Sequence, residues 1–307
     1  MSDSNATINI DNIPQTGSPD TLTVTDQTQI QFGDFFDGGL ANDTIIVGTV
    51  GPGINISLFI PPTVTTGFHS YEALKLQNNA GSTAVAFSAD QFGAGLISTS
   101  LAVTGTNGSV QLIGIGNASN FSAAAWTFSN WEATDFVGIS GTAGADTLTG
   151  SIKNDLLVGN ADSDILSGLL GSDNLDGGAG ADTLTGGLGK DLLKGGTEAD
   201  IFDFNLKTES VKGANRDVII DFSGFLGGEL DHIDLFGIDA KKGVAGNQAF
   251  KFIGAQKFHH KLGELQIKYD AASHTGIVSG DINGDGKADF QIEVHSLTAL
   301  VKADFIL

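Results

Sequence analysis

Residues 177–194 read GGAGADTLTGGLGKDLLK, two nine-residue units in direct succession. Outward from this stretch the same frame holds seven times. Aspartate recurs at every ninth position, at Asp146, Asp155, Asp164, Asp173, Asp182, Asp191 and Asp200. An apolar residue stands two places after each: Leu148, Leu157, Leu166, Leu175, Leu184, Leu193 and Phe202. A glycine stands five places before each: Gly141, Gly150, Gly159, Gly168, Gly177, Gly186 and Gly195. Three phases locked together are not an accident of composition, even in a chain with 43 glycines. A nine-residue period of this kind predicts a parallel β-roll, in which each unit supplies a turn and a short strand and two units close one coil.

The coil geometry sorts the aspartates into two stacks. Asp146, Asp164, Asp182 and Asp200 line one edge, and Asp155, Asp173 and Asp191 line the other. The apolar residues point inward as a thin ladder, too narrow to carry the fold alone. Stacked carboxylates repel one another without a counter-ion, and residues 141–203 hold 11 acidic against 3 basic side chains. Ca²⁺ suits such edges because it takes about 6–8 hard oxygen ligands from carboxylates and carbonyls together. Glycine supplies the positive φ that aims several carbonyls at one point. The expected metal-holding set is therefore the seven aspartates with the backbone of Gly141, Gly168, Gly177, Gly178, Gly180, Gly186, Gly187, Gly189, Gly195 and Gly196. Pairing of neighbouring turns predicts roughly three to five ions. Lys153, Asp162 and Glu198 replace the glycine at the fourth position of a repeat. Asp tolerates left-handed backbone better than Lys or Glu, so the sites touching Lys153 and Glu198 are expected to be weakest. Ligands that meet only in the folded chain make metal binding part of folding.

Composition agrees. The net charge of −21 favours cations and disfavours nucleic acid and anionic membranes. Much Gly, Thr, Ser, Val, Ile and Phe predicts an all-β protein. Cysteine is absent, so metal is the available stabilising device for a protein outside the cell. No window reaches the roughly 18 apolar residues of a membrane span. The first residues, MSDSNATINI, show no secretory leader pattern.

Three regions separate: an irregular β-solenoid-like region at 1–140, the nonapeptide roll at 141–203, and a β-rich cap at 204–307. In the first, short alternating apolar runs are punctuated by Gly and Asn. Phe68-x-x-Tyr71-Glu72-Ala73 returns as Phe128-x-x-Trp131-Glu132-Ala133, and Gly38–Ile45 repeats the Gly, Asp and apolar phase of the nonapeptide once in isolation, which makes Asp43 a further candidate ligand. These features predict a right-handed parallel solenoid running into the roll, with a β-sandwich as the other option.

The region after the repeats carries Gly196-Thr-Glu-Ala-Asp-Ile-Phe-Asp-Phe204, Asp217-Val-Ile-Ile-Asp-Phe222, Asp231-His-Ile-Asp-Leu235, Gln248-Ala-Phe-Lys-Phe-Ile-Gly254, Gly280–Phe290 and the terminal Ala303–Leu307. With the repeats, these stretches resemble the C-terminal domain of the serralysin metalloproteases within the RTX family of hemolysin-type calcium-binding repeats. The resemblance implies a calcium-loaded roll with a β-rich cap. It also implies type I secretion to the extracellular medium through an uncleaved C-terminal signal, which Asp304 followed by Phe305-Ile306-Leu307 fits; the lesser alternative for those residues is an ordinary apolar terminal strand. Asp281, Asn283, Asp285 and Asp289 have the spacing of the first part of an EF-hand loop, although Ile292 stands where its bidentate Glu belongs. A hairpin turn accounts for the same residues.

The protease half of the resemblance is missing. None of His69, His232, His259, His260, His274 and His295 lies in an H-E-x-x-H motif, and no G-x-S-x-G elbow is present. The primary expectation is a secreted, non-catalytic calcium-binding protein, its further partner an extracellular polysaccharide or a host surface. The alternative is a polysaccharide-active enzyme of the epimerase or lyase class, with His69, Tyr71, Glu72, Trp126, Trp131 and Asp135 as the candidate cluster. The recurrence of Tyr71-Glu72 as Trp131-Glu132 speaks for repeated coil structure instead.

Overall fold

A computed structural model describes residues 21–24, 36–37, 43–49, 54–57, 68–69, 71–78, 83–89, 97–106 and 111–307. The chain divides into two compact units, residues 1–140 with 151–154 and residues 141–150 with 155–307.

The described strands of the first unit are β1 (Thr21–Val24), β2 (Phe36–Asp37), β3 (Asp43–Thr49), β4 (Ile54–Ser57), β5 (Phe68–His69), β6 (Tyr71–Asn78), β7 (Thr83–Ser88), β8 (Ile97–Thr104), β9 (Gln111–Gly116), β10 (Asn120–Ser122), β11 (Thr127–Ser129) and β12 (Phe136–Ser140). They stack in parallel as β1-β3-β6-β8-β11 and as β4-β7-β9-β12. Parallel stacking of sequential strands belongs to a solenoid, whereas a sandwich would show antiparallel pairs. Alternation buries two apolar side chains on each of five strands: Leu74 and Leu76, Val85 and Phe87, Leu101 and Val103, Ile113 and Ile115, Val137 and Ile139.

The second unit continues with β13 (Thr147–Thr149), β14 (Asp155–Ala161), β15 (Ile165–Gly171), β16 (Asn174–Ala179), β17 (Thr183–Gly189), β18 (Leu192–Thr197), β19 (Ile201–Asp203), β20 (Val218–Ile219), β21 (His232–Asp234), β22 (Lys251–Gly254), β23 (Glu264–Asp270), β24 (Thr275–Asp281), β25 (Phe290–His295) and β26 (Phe305–Ile306). One sheet runs β13-β15-β17-β19-β21-β26 and the facing one β14-β16-β18-β20-β25-β24-β23-β22. The register puts Leu148 on Leu166, Leu166 on Leu184 and Leu184 on Phe202; opposite, Leu157 meets Leu175 and Leu175 meets Leu193. All seven of these side chains are fully buried. The inward ladder therefore forms as the period predicts.

Most strands of the roll run to six or seven residues and do not stop short of the turn. Asn160 still pairs with Gly178, and Leu169 with Gly187, because the parallel ladder runs on into the glycine turn. Beyond the repeats the ladder extends through Ile219 to Val294 and through Ile233 to Phe305. The last residues of the chain thus complete the roll's own sheet. An antiparallel meander, β23-β24-β25, broadens the opposite one.

Candidate metal centre

The turns are stitched together by their aspartates. The backbone N–H of each donates to Oδ1 of the aspartate one coil on: Asp146 to Asp164 at 2.7 Å, Asp155 to Asp173 at 2.8 Å, Asp164 to Asp182 at 2.8 Å, Asp173 to Asp191 at 2.8 Å, and Asp182 to Asp200 at 2.9 Å. This confirms two edge stacks. It also uses only one oxygen of each carboxylate. The Oδ2 atoms of Asp164, Asp173, Asp182, Asp191 and Asp200 are buried and accept no hydrogen bond. A buried, unpaired carboxylate oxygen is costly, and a row of them asks for a cationic partner.

Glycine contacts show what surrounds those oxygens. A Cβ added at Gly168 or at Gly177 would stand 2.6 Å from the carbonyl oxygen of Gly186 or of Gly195, with Oδ2 of Asp173 or Asp182 closer still. The carbonyls of Asn160, Asp162, Leu169, Gly171 and Gly178 in turn press on Gly178, Gly180, Gly187, Gly189 and Gly196 of the following turn. Carboxylate and carbonyl oxygens of successive turns thus crowd places that only glycine leaves open. Among the described residues no three His, Cys, Asp or Glu side chains are placed to hold one metal ion together. A cation at an edge must therefore draw most of its oxygens from the backbone. The donors are all hard oxygens, which fits Ca²⁺ and not a thiolate- or imidazole-seeking metal.

The backbone ranks the turns. Left-handed φ occurs at the second and fourth positions of five turns: Asn160 and Asp162, Leu169 and Gly171, Gly178 and Gly180, Gly187 and Gly189, Gly196 and Glu198. These are the turns that carry the five unpaired oxygens. Glu198 takes φ 81° and its turn keeps the shape, at the steric cost of a left-handed residue that is neither Gly nor Asn nor Asp. Lys153 does not adopt that conformation, and its N–H donates to the Ser151 hydroxyl at 3.0 Å instead. In the first turn Asp146 is engaged locally by the Thr142 N–H at 2.6 Å and by the Thr142 hydroxyl. The first two repeats thus depart from the pattern.

Burial raises these carboxyls strongly. The Asp173 carboxyl is pushed up to about 9, and Asp200 and Asp217 to about 8, by burial first and by neighbouring aspartates second among the raising influences. Asp182, Asp191 and Asp231 rise to about 6, and Asp164 is raised as well, with burial the leading cause throughout.

Two members of the stacks were hidden in the sequence. The Asp191 N–H donates to Oδ1 of Asp217 at 2.8 Å, 26 residues on, and the Asp200 N–H to Oδ1 of Asp231 at 3.0 Å, 31 residues on. Oδ2 of Asp217 is buried and unpaired, whereas Oδ2 of Asp231 accepts the Ser223 N–H at 2.7 Å. Asp217-x-Ile219 and Asp231-x-Ile233 keep the Asp-x-apolar half of the repeat, the one signal that could have found them. Asp221 is a further unforeseen member, accepting the N–H groups of Gly195 and Gly196 at 3.0 and 2.9 Å and pinning the last turn.

The remaining candidates fall elsewhere. Asp281 accepts the N–H groups of Gly284 and Gly286, and Asp289 those of Ile282 and Asn283, while the Asn283 amide donates to Asp289. The Asp285 carboxylate accepts the Lys287 N–H at 2.9 Å. This self-capped connection between antiparallel β24 and β25, with Gly284 and Gly286 at positive φ, has the form of the hairpin reading. The side chains of Asp43, His69, Tyr71 and Glu72 lie outside the described residues. Trp126 is buried against Phe121, and Asp135 is fully buried with its carboxylate accepting the Glu132 N–H at 2.7 Å. Trp131 lies tilted against Phe128, with ring centroids 5.0 Å apart and the planes at 56°. Asp304, in the terminal segment, is buried and accepts the N–H groups of Phe225 and Val301.

Among known structures, the chain is similar to two subunits of a mannuronan C5-epimerase from Azotobacter vinelandii. The R2 subunit shows 21% identity over 54% of this chain and 92% of its own, with a TM-score of 0.37. The R3 subunit shows 21% identity over 54% of this chain and 80% of its own, with a TM-score of 0.26. No curated protein matches the chain. Residues 123–307, more than half of the chain, match the peptidase M10 serralysin C-terminal family, and the chain belongs to that family.

Proposed function

We propose that this chain is a secreted, non-catalytic calcium-binding protein whose roll orders on binding Ca²⁺ after type I export. The observation that carries the reading is the row of buried, unpaired carboxylate oxygens, those of Asp164, Asp173 and Asp182 set beside a carbonyl of a neighbouring turn. Three inter-turn positions are flanked on both sides by turns of the left-handed type. Asp164 and Asp182 bound one, Asp182 and Asp200 the second, and Asp173 and Asp191 the third. Asp217 extends the second stack and is the candidate for a fourth. Bound Ca²⁺ would supply positive charge to carboxylates that burial otherwise drives toward the protonated form. The chain's own contribution is to hold the oxygens in place through the Asp-to-Asp hydrogen bonds and the glycine turns.

Because those oxygens come together only in the coiled state, Ca²⁺ affinity and folding are one equilibrium. Its midpoint is expected at roughly 10⁻⁴–10⁻³ M, the range of extracellular modules. A far-ultraviolet circular dichroism titration from chelator into calcium is expected to show a cooperative gain in β signal. An unchanged spectrum would overturn the reading. Export is tested separately: removal of Ala303–Leu307 is expected to abolish type I secretion of the chain, and undiminished secretion would show that those residues serve only as the terminal strand.

A further inference from the structure

The chain carries 36 Asp and Glu against 15 Lys and Arg, so a lysine here has more than two carboxylates to choose from. Residues 241–302 reverse that balance, with eight lysines against six carboxylates. Four of the eight, Lys241, Lys251, Lys261 and Lys302, line one cavity of about 780 Å³. They come from four separate segments: the loop before β22, the first residue of β22, the loop before β23, and the short turn before β26. None forms an ion pair with a described residue. The cavity wall includes one carboxylate, Glu264, which is buried and already engaged by His259 through its backbone N–H at 2.6 Å and its ring nitrogen at 2.9 Å. Phe250 and Phe252 complete the wall; Phe252 is only partly buried and is braced by Phe305 at 5.7 Å.

A lysine on an edge strand has an ordinary use, since it discourages sheet-to-sheet pairing. That explains Lys251 on β22, which ends its sheet. It does not explain three more ammonium groups brought to the same hollow from loops, where like charges repel. We propose that this hollow binds an acidic glycan, a sugar chain bearing carboxylate or sulfate groups. The volume is far beyond a single small anion and matches the roughly 300–1,000 Å³ of sites that enclose larger ligands. An apolar patch amid the charges suits the C–H face of a sugar ring. Lysine presents a point charge without the planar fork that singles out one phosphate geometry. A polynucleotide, with its dense phosphate charge, would be opposed more strongly by the net −21 of the whole chain.

The test uses the full chain in calcium-saturated buffer, so that its outcome is separate from that of the calcium reading. A galacturonate hexamer, its fully methyl-esterified counterpart and inorganic phosphate are titrated calorimetrically. The acid hexamer is expected to bind, more weakly as salt rises, and the ester not to bind. Lys251→Glu with Lys261→Glu is expected to weaken binding at least tenfold. Lys251→Arg with Lys261→Arg should retain it, and so should Lys287→Glu, which lies outside the cavity. Equal calcium-dependent circular dichroism in every variant verifies folding. Three results would each overturn the proposal: binding indifferent to the charge reversal, which would place the glycan on calcium at the acidic roll; equal binding of ester and acid; or phosphate alone binding as tightly as the hexamer.

Discussion

The two units coil in the same parallel manner but are held together by different means. Within residues 71–139 five strands, β6, β7, β8, β9 and β12, each bury two apolar side chains, and successive coils lock through rows such as Leu74 on Val103, and Val85 on Ile113 and Ile113 on Val137. In residues 141–203 each strand buries one, and aspartates are buried where a second apolar row would stand in a wider coil. The first arrangement draws on apolar burial, worth roughly 1.5–3 kcal/mol per large side chain. The second gives up half of that and buries carboxyl groups in its turns, whose charge the proposed Ca²⁺ would offset. The lesson is that a solenoid can shorten its coil only by replacing core with turn chemistry.

The largest effect expected from this contrast is differential unfolding. In chelator, amide hydrogen exchange is expected to lose protection across 155–200 while the strands at 71–78 and 111–116 keep theirs. Both tryptophans, Trp126 and Trp131, belong to the first unit, so their emission should change little as the far-ultraviolet signal falls. Simultaneous loss of both would show that the apolar coil also depends on metal.

Glycine substitutions sharpen the comparison. A Cβ at Gly189 would overlap the Gly171 carbonyl, and its φ of 152° already excludes most side chains. Gly189→Ala is expected to destabilise the roll by at least the ~1–3 kcal/mol of backbone strain and to raise the calcium midpoint. In the apolar coil, Gly138 would place a Cβ at 3.7 Å from Leu112, an ordinary contact. There Gly138→Ala should be neutral or stabilising by about 0.5–1 kcal/mol, the smallest effect predicted.

Between these lies the charge itself. Asp182 borders two inter-turn positions and Asp173 one of the left-handed type. Asp182→Asn is therefore expected to lower the bound-calcium count, measured by atomic emission, more than Asp173→Asn does. Equal losses would contradict the two-stack arrangement.

Protons should compete with calcium. Asp173, Asp200 and Asp217 have folded-state values of about 9, 8 and 8, above the unfolded value of about 3.9. The folded roll thus binds more protons than the unfolded chain through that window. Its metal-free stability is greatest below about pH 4 and is lost as pH rises through about 9. Calcium shows the opposite trend, its midpoint falling to lower concentration as pH rises from 6 to 9. Circular dichroism in chelator and in calcium at several pH values checks both signs; a pH-independent midpoint would refute the burial of these carboxylates.

Much of this was legible before any coordinates. A strict nine-residue period leaves no freedom in a parallel coil: residue i meets residue i+18, so the rows of Leu, Asp and Gly follow from spacing alone. Asp146 and Lys153 show the limit even there, because Thr142 captures one carboxylate and the Lys153 turn declines the left-handed form. Only the tertiary structure decided where the stacks end. Asp217 and Asp231 join across 26 and 31 residues, through loops whose length obeys no period. The same holds for the loop of Asp281 and Asp289, whose spacing suits a cation but whose carboxylates accept hydrogen bonds from the loop's own backbone N–H groups and from the Asn283 amide. Four lysines scattered over 62 positions meet at one hollow for the same reason. Periodic order is written locally and can be read from spacing; closure of irregular loops depends on what the whole chain packs against, and spacing does not record it.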